Sequence, residues 1–188
     1  MITILNFFTA LTHLLEQIPA AAPPPVGSYS IAEKFSVYEA EWKSLSVGSK
    51  NVASLFIEPD IERCMVFAVK VYRSRVLNED HQLYTLSPCS VPEVNKYKAG
   101  ILRILKSPRR PHYLPLILWM AFIGSLTAGP IPIDSYWPRL IHELAKELSI
   151  ETWDEARLLL KRFLWLDRRC ELFGRQLWGH VKQMRIDT

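Results

Sequence analysis

The chain has 188 residues, 49% hydrophobic and 22% charged, a balance that suits one globular domain with a large core. Its net charge of +4 is too mild to mark a dedicated nucleic-acid binder, and seven glycines are too few for a turn-rich all-β design. The three cysteines, Cys64, Cys89 and Cys170, are odd in number and far apart, so they imply neither a disulfide framework nor a local metal site.

Ile4, Leu5, Phe8, Leu11, Leu15 and Ile18 recur at helical spacing, which predicts an N-terminal amphipathic helix over 1–18. No Lys or Arg precedes this apolar run, His13 and Glu16 interrupt its end, and prolines follow, so it does not read as a secretory signal. Residues 19–28 form an Ala/Pro-rich linker, and residues 29–188 are expected to form a single helical domain. Residues 29–57 carry weaker signals: Phe35, Tyr38, Trp42 and Leu45 share one helical face before Gly48 breaks the pattern.

Pro59 opens a helix running to about Leu77, with Ile61, Cys64, Met65, Ala68, Val69 and Tyr72 on its apolar face. A polar loop follows over 78–90 and contains Asp80-His81, which lacks a visible third member for acid–base work. Ser90-Val91-Pro92-Glu93 resembles a capping box and starts a helix to about Lys106 with Val94, Tyr97, Ile101, Leu102 and Leu105 inward. A basic, proline-broken loop over 106–112 precedes an apolar stretch from Leu114 to Ala128. That stretch is shorter than the roughly 20 residues of a membrane span and reads as a buried central helix.

After a loop over 129–136, Leu140, Ile141, Leu144, Ala145 and Leu148 mark a helix over 137–148. Thr152-Trp153-Asp154-Glu155 is a capping box, and it opens the strongest predicted helix, Trp153 to about Phe173. Gly174 either stops it or lets it continue to Val181. The fold class is therefore all-α, an irregular bundle of about seven or eight helices around the segment near 114–128.

Motifs with chemistry are sparse. No phosphate-binding glycine loop, His-Glu-x-x-His or nucleophile elbow occurs. None of the five histidines lies three or four residues from another His or a Cys, so no metal or cofactor is implied and no catalytic residue stands out. Tyr72, Tyr84, Tyr97 and Tyr113 are either ligand donors or, more commonly, buried hydroxyls with internal partners. Trp42, His112, Tyr113, Trp119, Trp137 and Arg139 flank the central helix or sit on it and are the candidate ligand-binding residues. Arg157, Lys161, Trp165 and Arg168 interleave cations with an aromatic and are candidate interaction residues. Asp154, Glu155, Asp167 and Glu171 offer them local partners, which favours ion pairing or a protein interface over direct nucleic-acid contact.

Two segments carry a family resemblance. Leu114 to Gly124, with Trp119 at its centre, and Ser149 to Trp165, closing with Cys170 to Trp178, resemble the C-terminal part of the regulatory domain of fungal-specific transcription factors. In that family the all-helical region lies behind a binuclear zinc-cluster DNA-binding module. The module needs six closely spaced cysteines, which the three cysteines here do not supply. The resemblance covers roughly residues 92–180 and implies a regulatory or interaction domain that meets a protein partner, a second copy of itself or a small apolar effector. It also implies an intracellular setting, nuclear or cytoplasmic. The alternative is a small helical enzyme that shapes a pocket around an apolar metabolite, in fungal secondary metabolism.

Overall fold

The computed structural model describes residues 59–77, 89–128 and 136–184. Among them are six α-helices and no strand: α1 Pro59–Tyr72, α2 Val91–Leu105, α3 Arg110–Ser125, α4 Tyr136–Glu147, α5 Trp153–Leu160 and α6 Asp167–Gln183. The expected N-terminal helix, the linker, Trp42, Asp80-His81 and Tyr84 lie outside the described residues. No described helix is long and apolar enough to cross a membrane.

Helix α1 begins at Pro59 with Asp60 and Glu62 in its first turn, where carboxylates meet the positive end of the helix dipole. It widens into a π-turn over Arg73–Leu77. Glu93 caps α2 by accepting from the Ser90 N–H at 2.8 Å and the Ser90 hydroxyl at 3.0 Å. Helices α1 and α2 pack antiparallel. Asp60, at the start of α1, takes both arms of Arg103 near the end of α2 at 2.8 Å, and Lys70 meets Glu93 at 2.7 Å. Between these ties, Phe67 stacks on Tyr97 with ring centres 4.5 Å apart. Gly100 lies so close to the Cys64 sulfur that a β-carbon there would sit 2.6 Å from it.

The buried stripe of α2 is Tyr97, Gly100, Ile101 and Ile104. Leu102, expected inside, is 45% exposed, because it points about 100° away from Ile101. Helix α3 also begins earlier than the proline-broken pattern suggests, at Arg110. Ser107 makes this possible. Its hydroxyl accepts from the Arg109 N–H at 3.2 Å and its carbonyl from the Arg110 N–H at 3.0 Å. Pro111 then occupies the first turn, where a missing N–H costs nothing.

The expected central role of this apolar stretch is met: from Tyr113 to Ser125 every residue of α3 except Pro115 is buried. Helices α1, α2, α4 and α5 all pack against it. Gly124 gives α4 its close approach, since a β-carbon there would fall 2.5 Å from the Trp137 indole.

Helix α4 ends in a reversal. The Ile150 N–H reaches the Ala145 carbonyl at 2.8 Å and the Ser149 N–H reaches Lys146 at 3.2 Å. This double bond set requires a left-handed residue at Ser149, whose φ is 55°. Glycine adopts that conformation without the side-chain clash. Ser149→Gly is therefore expected to raise stability by about 0.5–1 kcal/mol in urea denaturation, with the gain limited by the greater freedom of glycine in the unfolded chain.

The main departure from the sequence pattern follows. Thr152 and Glu155 form the expected capping box, with the Thr152 hydroxyl accepting from Glu155 N–H at 3.3 Å and Glu155 accepting from Thr152 N–H at 2.9 Å. The single helix expected from Trp153 to Phe173 is instead two, parted at residues 161–166. Phe163, Leu164, Trp165 and Leu166 are all buried in that connector. Four consecutive residues on a helix point about 100° apart and cannot all face one core, whereas a non-helical connector sinks all four. Helix α6 runs on through Gly174 to Gln183, so Gly174 is not a stop.

Candidate functional site

Four candidate residues lie in or beside the connector. Breaking a helix frees backbone groups that must find partners when buried. The Trp119 indole N–H, from α3, donates to the Leu164 carbonyl at 2.9 Å. The Leu166 N–H donates to the Tyr72 hydroxyl, from α1, at 3.1 Å. Trp119 is thus a structural donor with its ring 6.0 Å from Phe163, and Tyr97, likewise buried, donates its hydroxyl to the Met120 carbonyl at 2.8 Å. Burial is the main force that raises the Tyr72 and Tyr97 hydroxyls well above the usual phenol range.

Trp165 is 1% exposed, with Phe122 edge-on at 5.9 Å and Trp153 at 6.1 Å. As it stands it belongs to the core, and a partner docked on the outer surface would not reach it. Trp153 lies over Gly174, where a β-carbon would meet its ring at 2.2 Å, and its indole N–H donates to Glu171 at 2.9 Å.

The cations of this region form a network. Arg157 grips Asp167 with two bonds at 3.0 and 2.8 Å and meets Glu171 at 3.3 Å, while Lys161 reaches Asp167 at 2.8 Å. The pairing with Asp154, three residues away, is longer at 3.8 Å. Arg175 adds a 2.8 Å bond to Glu171. Arg168 lies in the first turn of α6. Because Arg157 and Asp167 sit on opposite sides of the chain reversal, the network ties α5 to α6.

Partial burial pushes Asp167 and Glu171 up, but bonds from Arg157 and Lys161 to the first, and from Trp153 and Arg175 to the second, hold both below the ordinary carboxylate range. At the other end of the fold, the Lys70 ammonium and the Ser90 donors bring Glu93 down to about 2. A carboxylate depressed in the folded state adds stability above its unfolded pKa and loses it as pH falls through the folded value. The melting temperature is therefore expected to stay flat from pH 7 to about 5 and to drop below about pH 4. Asp167→Asn should lower the plateau and flatten part of that acid limb.

The ligand-binding candidates divide. Tyr113, Trp119 and Trp137 are buried, while His112 and Arg139 are exposed. Trp137 packs in α4 between Tyr97, with ring centres 5.6 Å apart, and Tyr136, at 4.9 Å, and the Lys98 ammonium lies 5.6 Å from its ring centre. The indole nitrogens of Trp137 and Trp165 have no hydrogen-bond partner among the described residues.

All three thiols are buried and none is in a disulfide, and burial raises Cys64 and Cys170 to about 12, far from nucleophilic range at neutral pH. No group of three or more His, Cys, Asp or Glu that would hold a metal ion occurs among the described residues.

Two surface residues were not singled out by the sequence pattern. Leu158 on α5 is 69% exposed and Leu172 on α6 is 71% exposed. Comparison of the chain with known protein families, with curated proteins and with solved structures gives no match.

Proposed function

We propose that this chain is a regulatory or interaction module of the kind its sequence resembles, the C-terminal regulatory region of fungal-specific transcription factors, and that it works by binding a protein partner through the outer face of α5 and α6. The observation that supports this reading is the pair Leu158 and Leu172. Two leucines about 70% exposed on adjacent helices, beside Arg157, Lys161 and Asp167, combine apolar anchors with a charged rim, the composition of a protein–protein contact. The resemblance covers these same helices together with α3.

Native mass spectrometry of the protein isolated from its own cells tests the reading. A complex with a second polypeptide, lost in Leu158→Asp/Leu172→Asp while the melting temperature holds, supports it. A monomer carrying a small molecule moves the reading to an apolar effector or to the alternative of a small helical enzyme. Trp137 and its unpartnered indole N–H supply the observation favouring that second reading, since a buried donor without a partner donates to an acceptor atom of a ligand at no desolvation penalty of its own.

A further inference from the structure

Residues 161–166 part α5 from α6 without a glycine or a proline. Lys161-Arg162-Phe163-Leu164-Trp165-Leu166 is compatible with helix throughout. The apolar positions also keep phase through this segment. Ala156, Leu159, Phe163, Leu166, Cys170 and Phe173 follow at alternating steps of three and four residues, the spacing of a helix–helix seam. A non-helical connector has no need to preserve that phase, whereas one helix over 153–183 would align all six on a single stripe. As folded, the stripe is cut and unevenly covered, for Leu159 and Phe173 are only half-buried.

The long-range bonds from Tyr72 and Trp119 and the ion pairs of Asp167 belong to the bent form. In a continuous helix the Leu166 N–H would pair with the Arg162 carbonyl and the Leu164 carbonyl with the Arg168 N–H, which makes the bonds from Tyr72 and Trp119 unnecessary. Arg157 and Asp167 would stand about 15 Å apart along the axis and Lys161 and Asp167 about 9 Å, too far to pair. Straightening alone is unfavourable, because Phe163, Leu164, Trp165 and Leu166 would then point in four directions and one core covers only one side. The straight form needs a second apolar surface.

We propose that this surface is a second copy of the chain. Residues 153–183 form one helix in each copy, α6 of each seats on the core of the other, and Leu159, Phe163 and Leu166 of the two helices pack together. Such an exchange keeps the apolar seating of α6 on a core and gives up only the connector's own bonds and the pairs of Arg157 and Lys161 with Asp167 at its edge, which is why it is a low-cost route to a dimer. It is independent of the partner contact at Leu158 and Leu172.

Size-exclusion chromatography with light scattering, on concentrated protein held briefly in sub-denaturing urea, tests the exchange on the parent, Tyr72→Phe, Trp119→Phe and Asp167→Asn. Each substitution removes a tie found only in the bent form, so the dimer fraction is expected to rise severalfold over the parent. The dimer should persist on dilution, form mixed dimers with isotope-labelled chains only after the urea step, and show slowed amide exchange at Leu164 and Trp165. It should also survive Leu158→Asp/Leu172→Asp. Folded variants that stay monomeric, or a dimer that dissociates at once on dilution, overturn the proposal. If Tyr72→Phe and Trp119→Phe do not fold, Asp167→Asn, which alters only the partly exposed network, decides alone.

Discussion

Trp119→Ala is expected to lower the stability of the fold by about 5 kcal/mol, enough to unfold a marginal domain at physiological temperature. Two losses combine. The indole is fully buried in the central helix, and truncating a core tryptophan to alanine typically removes about 3–5 kcal/mol. The Leu164 carbonyl then loses its donor inside the core, which adds about 1–3 kcal/mol. Trp119→Phe keeps most of the ring and isolates the second loss, so it should cost about 1–3 kcal/mol. Urea denaturation of both variants checks the pair. A Trp119→Ala protein within about 2 kcal/mol of the parent would show that the 161–166 connector does not depend on this donor, because truncation alone would account for so small a change.

The second large effect contrasts two glycines of one helix. At Gly174 a β-carbon would sit 2.2 Å from the Trp153 ring and 2.8 Å from Trp165, both wide, buried side chains with no room to withdraw. Overpacking of this kind costs about 1–3 kcal/mol, and Gly174→Ala is expected at the upper end, since two indoles must move and the Trp153–Glu171 bond goes with them. At Gly179 nothing lies within 4 Å of the added carbon. Alanine is there a better helix former by about 1 kcal/mol, so Gly179→Ala should stabilise. Opposite signs for the same substitution, read as shifts in melting temperature, are the expected result. Stabilisation by both would mean that helix propensity rather than packing governs Gly174.

The same packing explains why the candidate residues fall unevenly between core and surface. Trp119 and Trp137 are candidate ligand contacts by sequence, but each is buried against neighbouring helices, and Gly124 and Gly174 are hollowed to receive Trp137 and Trp153. An aromatic residue on an apolar helix looks the same in sequence whether it meets a ligand or a glycine. The interaction set divides likewise: Trp165 turned inward, while Arg157 and Lys161 remained at the surface, already paired with Asp167.

What the sequence by itself determined is local. The Thr152–Glu155 capping box, the start at Pro59, the inward faces of α1 and α4 and the burial of α3 all follow from residues within one or two turns of each other, whose hydrogen bonds and apolar spacing need no distant partner. What only the tertiary structure decided is the break at 161–166 and everything that depends on it. Its backbone partners lie 94 residues away at Tyr72 and 45 away at Trp119, and Arg157 chooses Asp167 over the nearer Asp154 only because the chain reverses there. Local preference favours one helix through this segment. Burying four consecutive apolar side chains in one core outweighs it, and that gain exists only once the other helices have assembled around them.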